Sequence, residues 1–188
     1  LQRGFQSFAY RGIRGHHYSE LRGQGFARAL AAAGRSCSRL DRAESAVPGA
    51  GMAQVLRSLP KPLALFACND LEALKASEAC LDARLPVPEE IAILGVDNDV
   101  GVCMWAFPPL SSIELQAEAI GREAAAQLER LMSGRPASKR VVRIPCGAVV
   151  VRASSDVLAT TDPKMRAALG VIREMACQGL RVKSLLQR

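Results

Sequence analysis

The sequence predicts an α/β fold, a parallel sheet flanked by helices. Three observations point there. Strand-like and helix-like stretches alternate through residues 1–97. The runs Leu63-Ala64-Leu65-Phe66-Ala67 and Ile91-Ala92-Ile93-Leu94-Gly95-Val96 are continuously apolar and of strand length, the pattern of strands covered on both faces. The connections between elements are short, as in parallel sheets built from right-handed strand–helix–strand crossovers.

Each element has its own local reason. Phe5-Gln6-Ser7-Phe8-Ala9-Tyr10 alternates apolar and polar residues, as a strand does. A polar loop over residues 11–18 follows. Ser19 is a candidate cap for a helix through Leu21, Phe26, Leu30 and Ala33, which Gly34 ends. Residues 37–40 suit a short strand, and residues 41–51 are polar and marked by Gly and Pro, hence loop. Met52, Val55, Leu56 and Leu59 share a helical face before Pro60 stops it. After the first apolar run, Asn69 or Asp70 can cap a helix with Leu71, Ala73, Leu74, Ser77, Leu81 and Leu85 on one stripe. Pro86 and Pro88 close it.

Beyond the second apolar run the pattern changes. Residues 97–109 read as irregular. Ser111 and Glu114 have capping-box spacing, which predicts the start of a long amphipathic helix through Leu115, Ile120, Ala124, Leu128 and Leu131. Gly134 and Pro136 end it. Val141-Val142-Arg143-Ile144 and Ala148-Val149-Val150-Val151 read as strands. A polar linker follows, and Asp162-Pro163 opens a helix in cap-then-proline order, with Met165, Ala168, Leu169, Ile172 and Ala176 on its face. Gly179 breaks that helix, and residues 182–186 suit the beginning of another.

The chain has 188 residues and a mass of 20.1 kDa, enough to bury a core without covalent staples. No apolar run reaches the roughly 18 residues of a membrane span, and no secretory signal opens the sequence. With no initiator Met, Leu1 is expected to be a cut end of a longer protein. The 25 basic and 18 acidic residues give a net charge of +7, but the excess is scattered Arg without a block of like charge. With two Tyr and one Trp, the composition argues against a stacking platform for single-stranded nucleic acid. The six cysteines contain no CxxC and have no His at metal-ligand spacing, so they are expected to be reduced, buried, small hydrophobes in a cytoplasmic protein, with no metal and no cofactor.

In an open parallel sheet, ligands sit outside the carboxyl ends of the strands. Three such ends carry polar groups: the loop over residues 11–18 with Arg22 just inside the next helix, Asn69-Asp70, and Asp97-Asn98-Asp99. Carboxylates and amides there can exchange hydrogen bonds with hydroxyls, and an Arg can fork onto a hydroxyl pair or ring oxygen. That chemistry suits a sugar or other small polyol. Each group also has a plainer reading. Asn69 and Asp70 can be helix caps, residues 97–99 a solvated turn, Arg22 an exposed helix residue, and His16 and His17 loop surface. Their convergence on one sheet edge favours a site. No nucleophile elbow, Walker loop or HExxH is present, so no enzyme is expected.

Leu65-Phe66-Ala67-Cys68-Asn69-Asp70, the block from Leu85-Pro86-Val87-Pro88 through Gly95-Val96-Asp97-Asn98, Pro108-Pro109-Leu110-Ser111-Ser112-Ile113, Gly121, and Val149-Val150-Val151-Arg152-Ala153-Ser154-Ser155 come in order and at spacing. Together they resemble the effector-binding domain of lactose-repressor-type (LacI/GalR) transcription regulators. The tail, from Thr161-Asp162-Pro163 through Ile172-Arg173-Glu174-Met175 to Leu180-Arg181-Val182, resembles the opening of an AraC/XylS-type helix-turn-helix domain. The combination is that of the xylose operon regulators.

The resemblance implies a type I periplasmic-binding-protein-like fold, one lobe plus part of the second, with a short helical stub. It divides the chain into a partial sugar-sensing domain at residues 1–156, a linker at 157–162 and a truncated helix-turn-helix domain at 163–188. It carries sugar contacts to Arg22, Asn69 or Asp70, and Asp97. No aromatic that could stack on the ligand is evident between Asp41 and Pro60. The expected partners are a sugar effector such as xylose, DNA through the remainder of the helix-turn-helix, and a second copy in a homodimer, with no membrane. The competing readings are a solute-binding protein of a sugar importer, disfavoured by the free cysteines and the tail, and a small α/β enzyme.

Overall fold

The computed structural model describes residues 3–41, 51–136, 141–157, 159–160 and 162–175. Residues 42–50 of the loop expected at 41–51, Cys177, the Gly179 break and the helix expected at 182–186 lie outside these residues.

Among the described residues six strands form one sheet: β1 (Ser7–Arg11), β2 (Ser38–Arg39), β3 (Leu63–Ala67), β4 (Ile91–Asp97), β5 (Ser111–Glu114) and β6 (Val149–Val150), in spatial order β2-β1-β3-β4-β5-β6. All neighbours are parallel except β5 and β6. The helices are α1 (His17–Ala32), α2 (Met52–Ser58), α3 (Asp70–Asp82), α4 (Val100–Trp105), α5 (Ala117–Met132) and α6 (Pro163–Met175).

The alternation of side chains along β3 divides the core. Leu63, Leu65 and Ala67 face Met52 and Leu56 of α2 and Ala73, Ala76 and Cys80 of α3. On the opposite face, Phe8 and Ala92 pack with Leu30 of α1, and Tyr10 and Phe66 with its Phe26. Gly23 lets α1 lie close to β1, because a Cβ there would come within 2.6 Å of the Tyr10 ring. The chain leaves β1 for β2 on one side and returns to β3 on the other. This reversal opens a crevice at the carboxyl ends of β1 and β3.

Several local expectations change once tertiary partners are present. Ser19 does not cap α1. It lies inside the helix, buried, where its hydroxyl accepts the Ile13 N–H at 2.9 Å and its carbonyl accepts the Tyr10 hydroxyl at 2.6 Å. Residues 97–109 contain a helix, α4, capped by Asp99 through the Val102 N–H. Ser111 and Glu114 bound a strand, not a capping box. Ser111 pairs with Leu94 in the sheet, and Ser112 donates its hydroxyl to Asp70 at 2.6 Å. The long helix begins at Ala117, after Gln116 turns the backbone at φ +53. Residues 141–144 form no strand; only Val149–Val150 joins the sheet, along β5. The Asp162 cap does form, accepting the Lys164 N–H at 2.8 Å.

Helix α5 departs from the lobe. None of its residues is buried, and Ile120, Leu128, Leu131 and Met132 are exposed. Among the described residues no helix is long and apolar enough to cross a membrane.

Candidate functional site

The carboxyl ends of β1, β3 and β4 bring Arg22, Asn69 and Asp97 together, with Tyr18 among them. Arg22 and Tyr18 are one helical turn apart on α1, so they share a face. The Arg22 guanidinium lies 5.0 Å from the centre of the Tyr18 ring. It donates to the Cys68 carbonyl, where β3 ends, and its other terminal nitrogen stands 3.5 Å from Asp97 Oδ1. Asn69 uses its Oδ1 to cap α3 through the Glu72 N–H at 2.9 Å. Its Nδ2 donates to the Tyr18 hydroxyl at 3.3 Å. Asn69 therefore caps α3 with one side of its amide and faces Tyr18 with the other.

Asp70 stands apart from this group. It is 1% exposed, and its carboxylate points into the lobe, where it accepts from Ser112 Oγ at 2.6 Å, the Asp99 N–H at 2.8 Å and Cys103 Sγ at 3.4 Å. Gly95 makes room for it, since a Cβ there would stand 2.1 Å from Asp70 Oδ1. Asp70 thus ties α3 to β5 and to the start of α4, and it does not reach the open crevice. His16 packs edge-on against Tyr18 at 5.6 Å, while His17 is exposed.

Asp97 sits at the rim. Partial burial raises its carboxyl pKa, and Arg22 opposes that rise. Beside it opens a polar cavity of about 370 Å³ lined by Asp97, Asn98, Glu114, Gln116, Glu118 and Arg122. The two sides of Asp97 thus offer a cation and an aromatic face on one hand and a polar hollow on the other. This set of donors, acceptors and one ring matches hydroxyl-bearing ligands. Cys68, the nearest thiol, is buried, and burial pushes its pKa upward, away from the thiolate a nucleophile needs. Among the described residues no group of His, Cys, Asp and Glu has the geometry to hold a metal ion.

Tyr18 is the residue that sequence reasoning missed. Its signal was the spacing to Arg22, which places an aromatic ring and a guanidinium on one helical face next to a strand end.

The strand order, the crevice at the reversal point and the polar strand ends define an α/β lobe of the periplasmic-binding-protein type. The chain belongs to the periplasmic binding protein-like domain family, whose model matches residues 1–155. It is similar to the xylose operon regulatory proteins of Haemophilus influenzae, at 34% identity over 131 residues, and Escherichia coli K12, at 30% over 135. Those matches cover 70% and 72% of this chain and 34% of each relative. The chain thus spans about a third of the length of these relatives.

Among solved structures, the xylose-binding transcription activator xylR superposes with a TM-score of 0.82 at 26% identity, covering 99% of this chain and 51% of that one. A LacI family regulator from Arthrobacter sp. FB24 in complex with lactose superposes at 0.70 with 27% identity, covering 82% and 60%.

Proposed function

We propose that this chain is the effector-sensing part of a sugar-responsive, DNA-binding transcription regulator, and that its ligand is a pentose such as xylose. The observation that carries the reading is the meeting of Arg22, Asn69 and Asp97 with the Tyr18 ring at the strand-order reversal. A sugar ring stacks on Tyr18, its hydroxyls bridge Asp97 and Asn69, and Arg22 forks onto a hydroxyl or the ring oxygen. The regulators named among the relatives support this ligand class and support a non-enzymatic, cytoplasmic role. They give no comparable support to the importer reading.

On this reading residues 1–156 are the sensor, 157–162 the linker and 163–188 the opening of a helix-turn-helix domain that reaches DNA in the whole protein. Helix α5 packs in the remainder of the sensor, which accounts for its exposed apolar stripe. Closure over the sugar shifts the balance between DNA-binding conformations of a homodimer.

Calorimetric titration of the whole protein with xylose, arabinose, ribose, glucose and lactose tests the reading. A pentose should bind, and Arg22→Ala should weaken it by about ten- to a hundredfold, the worth of one charge-assisted hydrogen bond. Binding of a hexose or disaccharide alone would remove the pentose assignment. Silence across the panel would sink the sugar reading.

A further inference from the structure

The backbone at the end of β4 is held in an unusual form. Asp97 has φ +115 and Asn98 φ +52, two consecutive non-glycine residues at positive φ. Such conformations persist where the surroundings over-determine them. Three contacts do so here. Ser112 Oγ accepts the Asn98 N–H at 3.0 Å, Asp70 accepts the Asp99 N–H at 2.8 Å, and Arg152 Nη2 donates to Asn98 Oδ1 at 2.9 Å.

The third contact differs from the others. Ser112 and Asp70 belong to elements beside β4, whereas Arg152 comes from the segment that leaves β6 toward α6. Its guanidinium is braced by a second donation to the Leu110 carbonyl at 2.8 Å. Its main chain is pinned to Ser111, whose Oγ accepts the Arg152 N–H at 2.7 Å and donates to the Arg152 carbonyl at 2.9 Å. Both acceptors of the guanidinium, the Leu110 carbonyl and Asn98 Oδ1, are neutral, so the fork geometry of the guanidinium, not charge pairing, is what these contacts use. Ser154 and Ser155 continue the network, bonding to the Ile93 carbonyl at 2.7 Å and Ser111 Oγ at 2.8 Å.

We infer that Arg152 is a positioning residue for the site: its guanidinium fixes Asn98, and thereby aims the Asp97 carboxylate at Arg22, while tying this turn to the segment that leads to α6. The Arg152 side chain bonds to Asn98 and the Leu110 carbonyl and acts on Asp97 through Asn98. Only the affinity readout of the inference rests on the sugar reading.

The test compares Arg152→Ala, Arg152→Lys, Asn98→Gly and the double variant Arg152→Ala/Asn98→Gly in the whole protein. Glycine at 98 accepts φ +52 without strain and removes the acceptor, so it remains informative if Arg152→Ala fails to fold. Amide hydrogen exchange over residues 97–102, without ligand, is read beside the Kd for xylose. Arg152→Ala and Asn98→Gly are each expected to raise exchange in that segment and to weaken xylose by about tenfold, with the double variant no worse than the worse single variant. Arg152→Lys, a point charge without the fork, should recover part of the loss. Unchanged exchange in both single variants, or additive effects in the double, would overturn the inference. If the parent protein binds no xylose, the sugar reading fails, and the exchange data still decide the role of Arg152.

Discussion

Replacing Asp70 with alanine removes one acceptor that several donors share. Asp70 and Ser112 are 1% and 0% exposed, so water cannot readily take over the lost contacts. The two short bonds, from Ser112 Oγ at 2.6 Å and the Asp99 N–H at 2.8 Å, go to a carboxylate. Bonds to a charged group are worth about 1.5–3 kcal/mol each, and a stranded buried donor costs about 1–3 kcal/mol. Truncation also releases the cost of burying the carboxylate, which offsets part of this loss.

The balance is a destabilisation of about 3–5 kcal/mol for Asp70→Ala, against about 2–3 kcal/mol for Ser112→Ala, which removes the bond to Asp70 and the acceptor of the Asn98 N–H. In urea, with a slope of about 2 kcal/mol per molar, Asp70→Ala should move the midpoint down by roughly 2 M. Far-UV circular dichroism follows the transition, and the slope should stay constant if both variants unfold as the parent does. The double variant should lose less than the sum of the single variants, because both break the same bond. A loss below about 1 kcal/mol for Asp70→Ala, or strict additivity with Ser112→Ala, would refute the view that Asp70 is a structural tie between α3, β5 and α4.

Asp97 predicts a pH dependence. Burial raises its carboxyl pKa in the folded chain, so the ionised form costs stability, and the cost sets in as pH rises through the carboxylate range. The melting temperature of Asp97→Asn relative to the parent should therefore be more favourable at pH 7 than near pH 3.5. The same variant should bind the sugar more weakly, and a stability difference of the opposite sign would place the Arg22 attraction above the burial cost. The thiols should separate by environment. Cys146 is exposed, not buried as expected, because residues 141–148 around it form no strand, and it should react with a maleimide in the native protein. Cys68, Cys80 and Cys103 are buried, and burial is the main reason the pKa values of Cys80 and Cys103 are pushed up to about 12, so these three should label only in denaturant. Peptide mapping identifies each site, and native labelling of Cys80 at the rate of Cys146 would contradict the packing of α3 on the sheet.

The strands that were clear in advance are those whose pattern reflects burial alone. Leu63–Ala67 and Ile91–Asp97 lie where two continuous apolar runs demand cover on both faces. Segments whose side chains can bond in more than one way were less clear. Ser111 and Glu114 satisfy a capping box on paper, but Ser112 has a buried carboxylate to reach and Ser111 a strand to pair with, and those long-range partners win. Asn69 and Asp70 were indistinguishable as neighbours in the chain. In the fold, one faces Tyr18 at the crevice and the other turns inward.

Chain order and hydrophobic pattern thus establish the α/β class, the parallel core and the strand ends at which polar groups collect, because burial and helix capping act over a few residues. Which of those groups face the crevice was decided by contacts between residues far apart in sequence. Arg22 meets Asp97, Asp70 meets Ser112, and Arg152 meets Asn98. A polar side chain is directed by whichever partner lies within about 3.5 Å, and only the packed sheet brings these partners that close.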